Sequence, residues 1–160
     1  MREEGRKPMN ICMTVRDQQL EDFIQTEFEG YERKYGVAFC RTPFAFAAKE
    51  QGEVVGAVTG FCSVSEVHIS ELVVKEGWRG KGIGGRLIRA VEDDFQDAGL
   101  SHISLTTYEY QAPSFYQKLG FELEFVRRDR KNEKWNKYYF VKYFGADRKG
   151  ERESGMGRGK

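Results

Sequence analysis

The chain has 160 residues, which suits one compact domain with tails and is too short for two full enzyme domains. It is 39% hydrophobic, with twelve Phe, eight Tyr and two Trp, so disorder throughout is excluded. The formal net charge of +1 gives no bulk reason to expect nucleic acid or an anionic membrane as a partner.

The cysteines, the histidines and the N-terminal segment further narrow the class of protein. The three cysteines are widely spaced, so we expect reduced thiols rather than a disulfide framework. His68 and His102 belong to no cluster at metal-ligand spacing, so we expect no metal. Met1–Asn10 lacks the apolar core of a signal peptide, and no apolar run approaches the roughly 20 residues of a membrane span. These patterns predict a cytoplasmic protein without a membrane partner.

The first half of the chain predicts a strand, a helix and three further strands. Apolar residues at three- and four-residue spacing predict a helix over Asp17–Tyr35, with Asp17 as its cap and Gly36 as its end. The predicted strands are Asn10–Val15, Phe44–Lys49, Val54–Phe61 and Glu66–Lys75.

The second half predicts two helices and three strands: helix Ile83–Ala98, strand His102–Tyr108, short helix Pro113–Leu119, and strands Phe121–Arg127 and Tyr138–Phe144. Antiparallel hairpins around one strand–helix–strand crossover indicate an α+β fold with a mixed, mostly antiparallel sheet flanked by helices. We expect a flexible segment at 1–9, one domain over 10–144 and a disordered, charged, glycine-rich tail at 145–160.

The most informative segment is Leu72–Leu87, LVVKEGWRGKGIGGRL, in which a glycine-rich loop joins a strand to a helix. Glycines let backbone N–H groups approach a ligand, and a helix N-terminus attracts anions. A Walker P-loop is excluded because Arg86–Leu87 stands where Lys–Ser/Thr is required. A dinucleotide-binding GxGxxG is formally matched by glycines 80, 82 and 85, and a turn without a ligand is the plainest alternative.

Two motifs in order resemble the GNAT superfamily of acyl-CoA N-acyltransferases. Arg79–Gly84 (RGKGIG) is similar to that family's Arg/Gln-x-x-Gly-x-Gly/Ala signature, and Ala112–Phe121 resembles its second motif. The resemblance runs from the first strand to about Phe144 and is nearest to a subgroup of generic small-amine acetyltransferases. It implies the GNAT fold and acetyl-CoA as co-substrate.

The resemblance also implies where the co-substrate lies. Its pyrophosphate would rest on the glycine loop, and its pantetheine arm would pair with the preceding strand. Many family members carry an Asn where this chain has Glu109, and Gln111 could supply an amide instead. The implied contact residues are Leu72, Val73, Val74, Arg79, Gly80, Lys81, Gly82, Ile83, Gly84, Gly85, Gln111 and Ser114.

Acetyl transfer needs an acid for the leaving thiolate and a base for the amine. The resemblance places Tyr116 near the sulfur, and a phenol with a pKa of about 10 is protonated at pH 7. Strand alternation puts Val67, Ile69 and Val73 on one face and interrupts that row with Glu71, which predicts a buried carboxylate as base. The alternatives are a Tyr116 that only packs its helix and a strand bulge that turns Glu71 to solvent. Such a bulge could bring His68 or Ser70 into the site. A backbone N–H near Val73 would stabilise the oxyanion.

The acceptor is predicted as a primary amine, preferably of a small molecule. A protein N-terminus or lysine, a non-catalytic acyl-CoA-binding module and a nicotinamide-dependent enzyme are the alternatives. Acids on the first helix could attract a cationic amine, although such a run is usually a solvated face. The resemblance places the acceptor pocket near the first helix, the region of Tyr108–Gln111 and the last hairpin. The candidate liners are Phe28, Tyr31, Tyr35, Tyr108, Tyr110, Trp135 and Tyr138, and core packing is the alternative for most of them. A homodimer is left open.

Overall fold

The computed structural model describes residues 9–38 and 41–145, and the chain divides into two compact units, residues 1–39 and 40–160. The helices are α1 (Gln18–Tyr35), α2 (Ile83–Phe95) and α3 (Ser114–Lys118). The strands are β1 (Thr42–Glu50), β2 (Glu53–Ser63), β3 (Glu66–Val74), β4 (His102–Tyr108), β5 (Glu122–Arg127) and β6 (Lys137–Tyr143). The segments expected to be flexible are 1–9 and 145–160, and all of their residues except 9 and 145 lie outside the described residues.

Helix α1 forms as its capping residues predict. The Asp17 carboxylate accepts a hydrogen bond from the Leu20 N–H at 2.9 Å, and Gly36 ends the helix with a left-handed φ of 67°. The predicted strand over Asn10–Val15 is wrong, since no helix or strand occurs at residues 9–17. Its apolar–polar alternation suits a strand, but a strand also needs a hydrogen-bonded neighbour, and no described strand pairs with this segment.

The second unit is a six-stranded sheet in the order β1-β2-β3-β4-β6-β5. Only β3 and β4 pair in parallel, and α2 is the crossover between them. The apolar stripe of α2 packs against β1, β2 and β3. The fully buried side chains are Val58, Val67, Ile88, Val91, Ile103 and Phe140. The predicted α+β class with a mixed, mostly antiparallel sheet is therefore confirmed.

A β-bulge interrupts β3 halfway along its length. Gly60 pairs with Ile69 and Thr59 pairs with Glu71, so Ser70 has no opposite residue on β2. One extra residue reverses the alternation of side chains. Before the bulge Ile69 is buried; after it Val73 is 58% exposed. The expectation that Val73 shares the buried face of Val67 and Ile69 is therefore wrong.

The parallel pair β3–β4 separates soon after it begins. Its register covers only Glu66–Ile69 opposite His102–Leu105, although the strands continue to Val74 and Tyr108. From Ser70 onward, the edge of β3 that faces β4 has no strand partner. The separation opens a cleft whose floor lies at the Ile69–Leu105 pair.

Replacement of Gly60 by alanine is expected to destabilise this bulge. An added Cβ would lie 2.0 Å from the backbone oxygen of His68 and 2.6 Å from Phe44 Cζ. Because one of these atoms belongs to the backbone, the strands themselves must shift. We expect Gly60→Ala to lower the free energy of unfolding by about 2 kcal/mol or more. Denaturant titration measures this change.

Gly77→Ala is the matched control, since nothing lies within 4 Å of its added Cβ and its φ is not left-handed. Its stability should change by no more than about 0.5 kcal/mol. Equal stability of the two variants would show that the bulge does not depend on Gly60.

Candidate active site

The cleft between β3 and β4 has a volume of about 780 Å³. One wall is the end of β3, and the other combines the end of β4, the following turn and α3. The lining residues are Ile69, Ser70, Glu71, Leu72, Val73, Val74, Arg79, Leu105, Thr106, Thr107, Tyr110, Gln111, Ala112 and Tyr116. Both predicted catalytic residues, Glu71 and Tyr116, therefore line one cleft together with the predicted pantetheine strand.

The β3 wall presents backbone hydrogen-bonding groups to the cleft. The Lys75 N–H donates to the Val55 oxygen at 2.9 Å, which directs the backbone groups of Lys75 towards β2. Alternation along the strand then directs the backbone N–H and C=O groups of Val73 towards β2. It directs those of Leu72 and Val74 towards the cleft. The Arg79 Nε donates to the Val74 oxygen at 3.0 Å on that side. The N–H groups of Leu72 and Val74 can thus pair with an extended ligand.

The glycine loop places the start of α2 beside this wall. Gly80 and Gly82 adopt left-handed φ values of 75° and 76°, and Gly82 is the residue that caps α2. The first helical bond runs from the Arg86 N–H to the Gly82 oxygen at 3.1 Å. The N–H groups of Ile83, Gly84 and Gly85 are therefore free of helical acceptors. Such a helix start suits an anionic group.

Gly84 is where the loop, β3 and α3 meet. A Cβ at this position would lie 3.1 Å from Phe115 Cζ and 3.9 Å from Leu72 Cδ2. A side chain larger than hydrogen would push α3 away from the start of α2. The glycine therefore keeps the start of α2 close to both walls of the cleft.

The basic residues of the loop differ in their positions. Arg79 lines the cleft and holds the Val74 carbonyl. The Lys81 ammonium instead lies 4.3 Å from the centre of the Trp78 ring, a cation–π contact. Of these two implied contact residues, Arg79 lines the cleft, and the Lys81 side chain lies against Trp78 instead.

Tyr116 stands on α3 in an aromatic setting. Its ring contacts Phe115, Phe121 and Phe140 at centroid distances of 5.1, 6.0 and 5.8 Å. Burial raises the pKa of the Tyr116 phenol above its ordinary value. The side chain thus both packs and lines the cleft, and its hydroxyl is protonated at neutral pH.

Glu71 is exposed, which corrects the expectation of a buried carboxylate. The bulge at Ser70 causes the difference, because it moves Glu71 out of the buried row. Its carboxylate accepts a hydrogen bond from the Thr59 hydroxyl on the adjacent strand. Glu71 nonetheless lines the cleft, together with Ser70, which the same bulge brings to this wall.

Gln111 and Ser114 have different surroundings. The Gln111 Oε1 accepts bonds from the Tyr108 N–H at 3.1 Å and the Thr107 hydroxyl at 3.3 Å. Its Nε2 has no protein acceptor among the described residues and can donate into the cleft. Ser114 is exposed at the first position of α3 and is not among the cleft-lining residues.

Sequence reasoning did not identify Thr106 and Thr107, which line the β4 wall. No motif marks them, and only the divergence of the strands reveals their position. His68 does not enter the cleft. Its Nδ1 lies 2.9 Å from the Ser104 hydroxyl, and burial, the largest influence, lowers the pKa of its imidazole. The Glu109 carboxylate accepts a bond from the Tyr138 hydroxyl and raises the pKa of that phenol.

Metal-binding clusters and membrane-spanning helices are absent from residues 9–38 and 41–145. No group of three or more His, Cys, Asp or Glu side chains is arranged to hold a metal ion. None of the helices in this part of the chain has the length and apolar character that a membrane crossing requires.

Comparison with known families agrees with this geometry. Residues 12–121 match the profile described as the acetyltransferase (GNAT) family. The chain belongs to the GNAT family. The match includes β3, the glycine loop, α2, β4 and α3, which are the elements that build the cleft. The strands β3 and β4 and the helix α2 that connects them therefore belong to the part of the chain that matches the GNAT family.

Individual relatives extend the comparison. Blasticidin-S acetyltransferase of Streptomyces morookaense is 37% identical over 79 residues, which are 49% of this chain and 58% of that protein. The match thus spans less than two thirds of the relative. An acetyltransferase from Bacillus cereus ATCC 14579 has the same fold at 23% identity, with a TM-score of 0.70 over 83% of this chain and 97% of its own.

A third relative was solved with a ligand. It is a candidate streptothricin acetyltransferase from Bacillus anthracis str. Ames in complex with acetyl coenzyme A. It shares the fold at 20% identity and a TM-score of 0.57, over 64% of this chain and 63% of its own.

The conformation of Gly82 should control anion binding at the start of α2. Alanine at a left-handed φ costs about 1–2 kcal/mol, and relief of that strain would turn the N–H groups of α2 away from the loop. We expect Gly82→Ala to weaken CoA binding about tenfold, measured by isothermal titration calorimetry.

Gly99→Ala provides the control beyond the other end of α2. Gly99 also has a left-handed φ, 77°, with nothing within 4 Å of an added Cβ. It should lose similar stability and keep its CoA affinity. Equal weakening of CoA binding in both variants would assign the effect to general destabilisation and contradict the anion site.

Proposed function

We propose that this GNAT acetyltransferase transfers the acetyl group of acetyl-CoA to a primary amine of a small molecule. The observation that carries the proposal is the cleft at the divergence of β3 and β4. It combines a free backbone edge with the side chains of Tyr116 and Glu71, and the start of α2 lies beside it at Gly84. The bound acetyl coenzyme A of the Bacillus anthracis relative supports the choice of co-substrate.

The residues of the chain fit acetyl-CoA along its length. The N–H groups of Ile83, Gly84 and Gly85 would hold the pyrophosphate, and the backbone of Leu72 and Val74 would pair with the pantetheine amides. The Gln111 Nε2 would supply a further donor. This arrangement would bring the thioester towards Tyr116 and away from solvent at the cleft mouth.

Tyr116 would act as general acid. The amine nitrogen attacks the thioester carbonyl, a C–N bond forms, and the C–S bond breaks as the tetrahedral intermediate collapses. The phenol then donates its proton to the departing sulfur. A raised pKa keeps the phenol protonated throughout the physiological range. The backbone N–H of Leu72 or Val74 would stabilise the oxyanion. The Val73 N–H is not available for this role because it faces β2.

Glu71 would act as general base from an exposed position. The acceptor loses one proton during acetylation, and a carboxylate at the cleft mouth can accept it directly or through one water. The hydrogen bond from Thr59 fixes the orientation of the carboxylate. This role rests on position in the cleft and not on desolvation.

Two observations support a small-molecule acceptor. The Streptomyces relative is named for acetylation of blasticidin-S, a small molecule. In addition, a cavity of about 810 Å³ with aromatic residues Tyr108, Tyr110 and Trp135 adjoins the cleft. A concave site of this size lies in the range of small-molecule pockets.

Two substitutions separate the acid from the base. We expect Tyr116→Phe to lower kcat about a hundredfold with KM for acetyl-CoA unchanged, because the phenol donates only as sulfur leaves. We expect Glu71→Gln to lower kcat at least tenfold with KM for acetyl-CoA unchanged. Release of free CoA thiol measures both. Because burial raises the Tyr116 pKa, the wild type should show no loss attributable to Tyr116 below about pH 10.

Tyr139→Phe and Glu124→Gln are the matched controls. Neither residue lines the cleft; Tyr139 stacks on Phe125, and Glu124 is exposed on β5. Both should retain wild-type kcat. Full activity of Tyr116→Phe would remove the acid assignment, and full activity of Glu71→Gln would remove the base assignment. Acetylation of peptides in preference to every small amine would replace the proposed acceptor class.

A further inference from the structure

A second cavity adjoins the cleft at the end of the β5–β6 hairpin. Its volume is about 810 Å³, and Tyr110 lines both the cavity and the cleft. The lining residues are Tyr108, Tyr110, Arg127, Arg128, Asp129, Arg130, Lys131, Trp135 and Lys137. We refer to these residues as the hairpin pocket. An acceptor whose amine reaches the cleft would extend its other end into this pocket.

The hairpin pocket has five cationic residues and one acidic residue. The single acid is already engaged, since the Asp129 Oδ1 accepts bonds from the N–H groups of Lys131 and Asn132 at 2.8 and 3.0 Å. Among the described residues, no ion pair involves the guanidinium groups of Arg128 and Arg130. Like charges gathered around one cavity repel each other, and a bound anion relieves that repulsion.

Two of the cations are held against aromatic rings. The Arg127 guanidinium lies 5.2 Å from the centre of Tyr139, and the Lys137 ammonium lies 5.7 Å from the centres of Tyr108 and Tyr139. These contacts leave Arg128, Arg130 and Lys131 as the groups available to a ligand. Planar guanidinium groups match carboxylate and phosphate oxygens in pairs.

Hydrogen bonds within the hairpin loop hold its backbone in place. The Asp129 N–H donates to the buried Asn136 side chain at 2.9 Å, and the Lys134 N–H donates to the Asn132 side chain at 3.0 Å. A loop fixed in this way needs little further ordering when a ligand binds, which favours affinity. Tyr108 and Tyr110 stack at 5.7 Å with an angle of 11° and add a flat wall that suits a planar group.

From these observations we infer that the acceptor carries an anionic group, a carboxylate or phosphate, that binds Arg128 and Arg130 of the hairpin pocket while its amine lies in the cleft. The inference rests on the proposed function and narrows its substrate class.

Three matched amines test this inference on the full chain with saturating acetyl-CoA. They share an aminomethyl-substituted ring and carry, at the opposite position, a carboxylate (4-(aminomethyl)benzoate), a neutral hydroxymethyl group (the alcohol) or a second aminomethyl group (the diamine). Thiol release gives kcat/KM for each. We expect the benzoate to exceed the alcohol at least about tenfold, the gain typical of a charge-assisted hydrogen bond. The diamine should be the poorest acceptor. Equal rates, or preference for the diamine, would overturn the inference and leave the proposed function intact.

Variants assign the preference to the pocket. Arg128→Gln combined with Arg130→Gln should reduce the benzoate-to-alcohol ratio to about one, with KM for acetyl-CoA unchanged. Lys134→Gln is the matched control, since Lys134 is exposed in the same loop and does not line the pocket. It should keep the wild-type ratio. A ratio that survives the double substitution would contradict the assignment.

Direct binding separates this inference from the proposed function. Calorimetry measures 4-(aminomethyl)benzoate and the neutral alcohol against the CoA-saturated protein. Binding of the benzoate but not of the alcohol, with loss of that binding in the double variant, would support the pocket. If no amine is acetylated, that second result would contradict only the proposed function. No difference between the two compounds in binding would overturn the inference.

Discussion

The separation of β3 from β4 is the structural constraint on which the site depends. A parallel pair that stayed hydrogen-bonded to its end would satisfy its own backbone groups and leave no room for a ligand. Here the pairing ends at Ile69 and Leu105, while β2 continues to support β3 up to Val74. The cleft therefore has a rigid wall whose outer edge can still form hydrogen bonds. The bulge at Ser70 belongs to the same arrangement, because it turns Glu71 and Val73 outward and keeps Leu72 packed against the core.

Charge is distributed along this cleft in a way that the net value of +1 conceals. At one end, backbone N–H groups of α2 offer partial positive charge to a phosphate without requiring a cationic side chain. At the other end, the hairpin pocket gathers full charges on Arg128 and Arg130. Tyr116, protonated and mostly surrounded by aromatic rings, stands between these regions on α3. Under the proposed function, donor recognition, proton donation and acceptor recognition belong to three separate elements.

Much of this could be predicted from the sequence, because the strongest signals are local. Asp17 and Gly36 bound α1 as capping chemistry requires, β4 begins and ends at the predicted residues, and the two glycine-containing motifs indicate the family before any coordinates. Alternation failed where one unpaired residue changed the register. Nothing in the string EVHISELVV distinguishes a regular strand from one with a bulge at Ser70. Because of this bulge, Glu71 is exposed where alternation predicts a buried side chain. Asn10–Val15 fails for a different reason, since it alternates like a strand but has no neighbouring strand to pair with.

The central claim is that acetyl-CoA binds along the free edge of β3 and at the start of α2. Amide hydrogen exchange of the full chain, with and without saturating acetyl-CoA, tests it most directly, since it reports on backbone N–H groups one by one when read by NMR. The account predicts slower exchange at Leu72, Val74 and Ile83–Gly85, with little change at Val73, whose N–H already faces β2. Unchanged exchange at these positions, or protection confined to another part of the sheet, would contradict it.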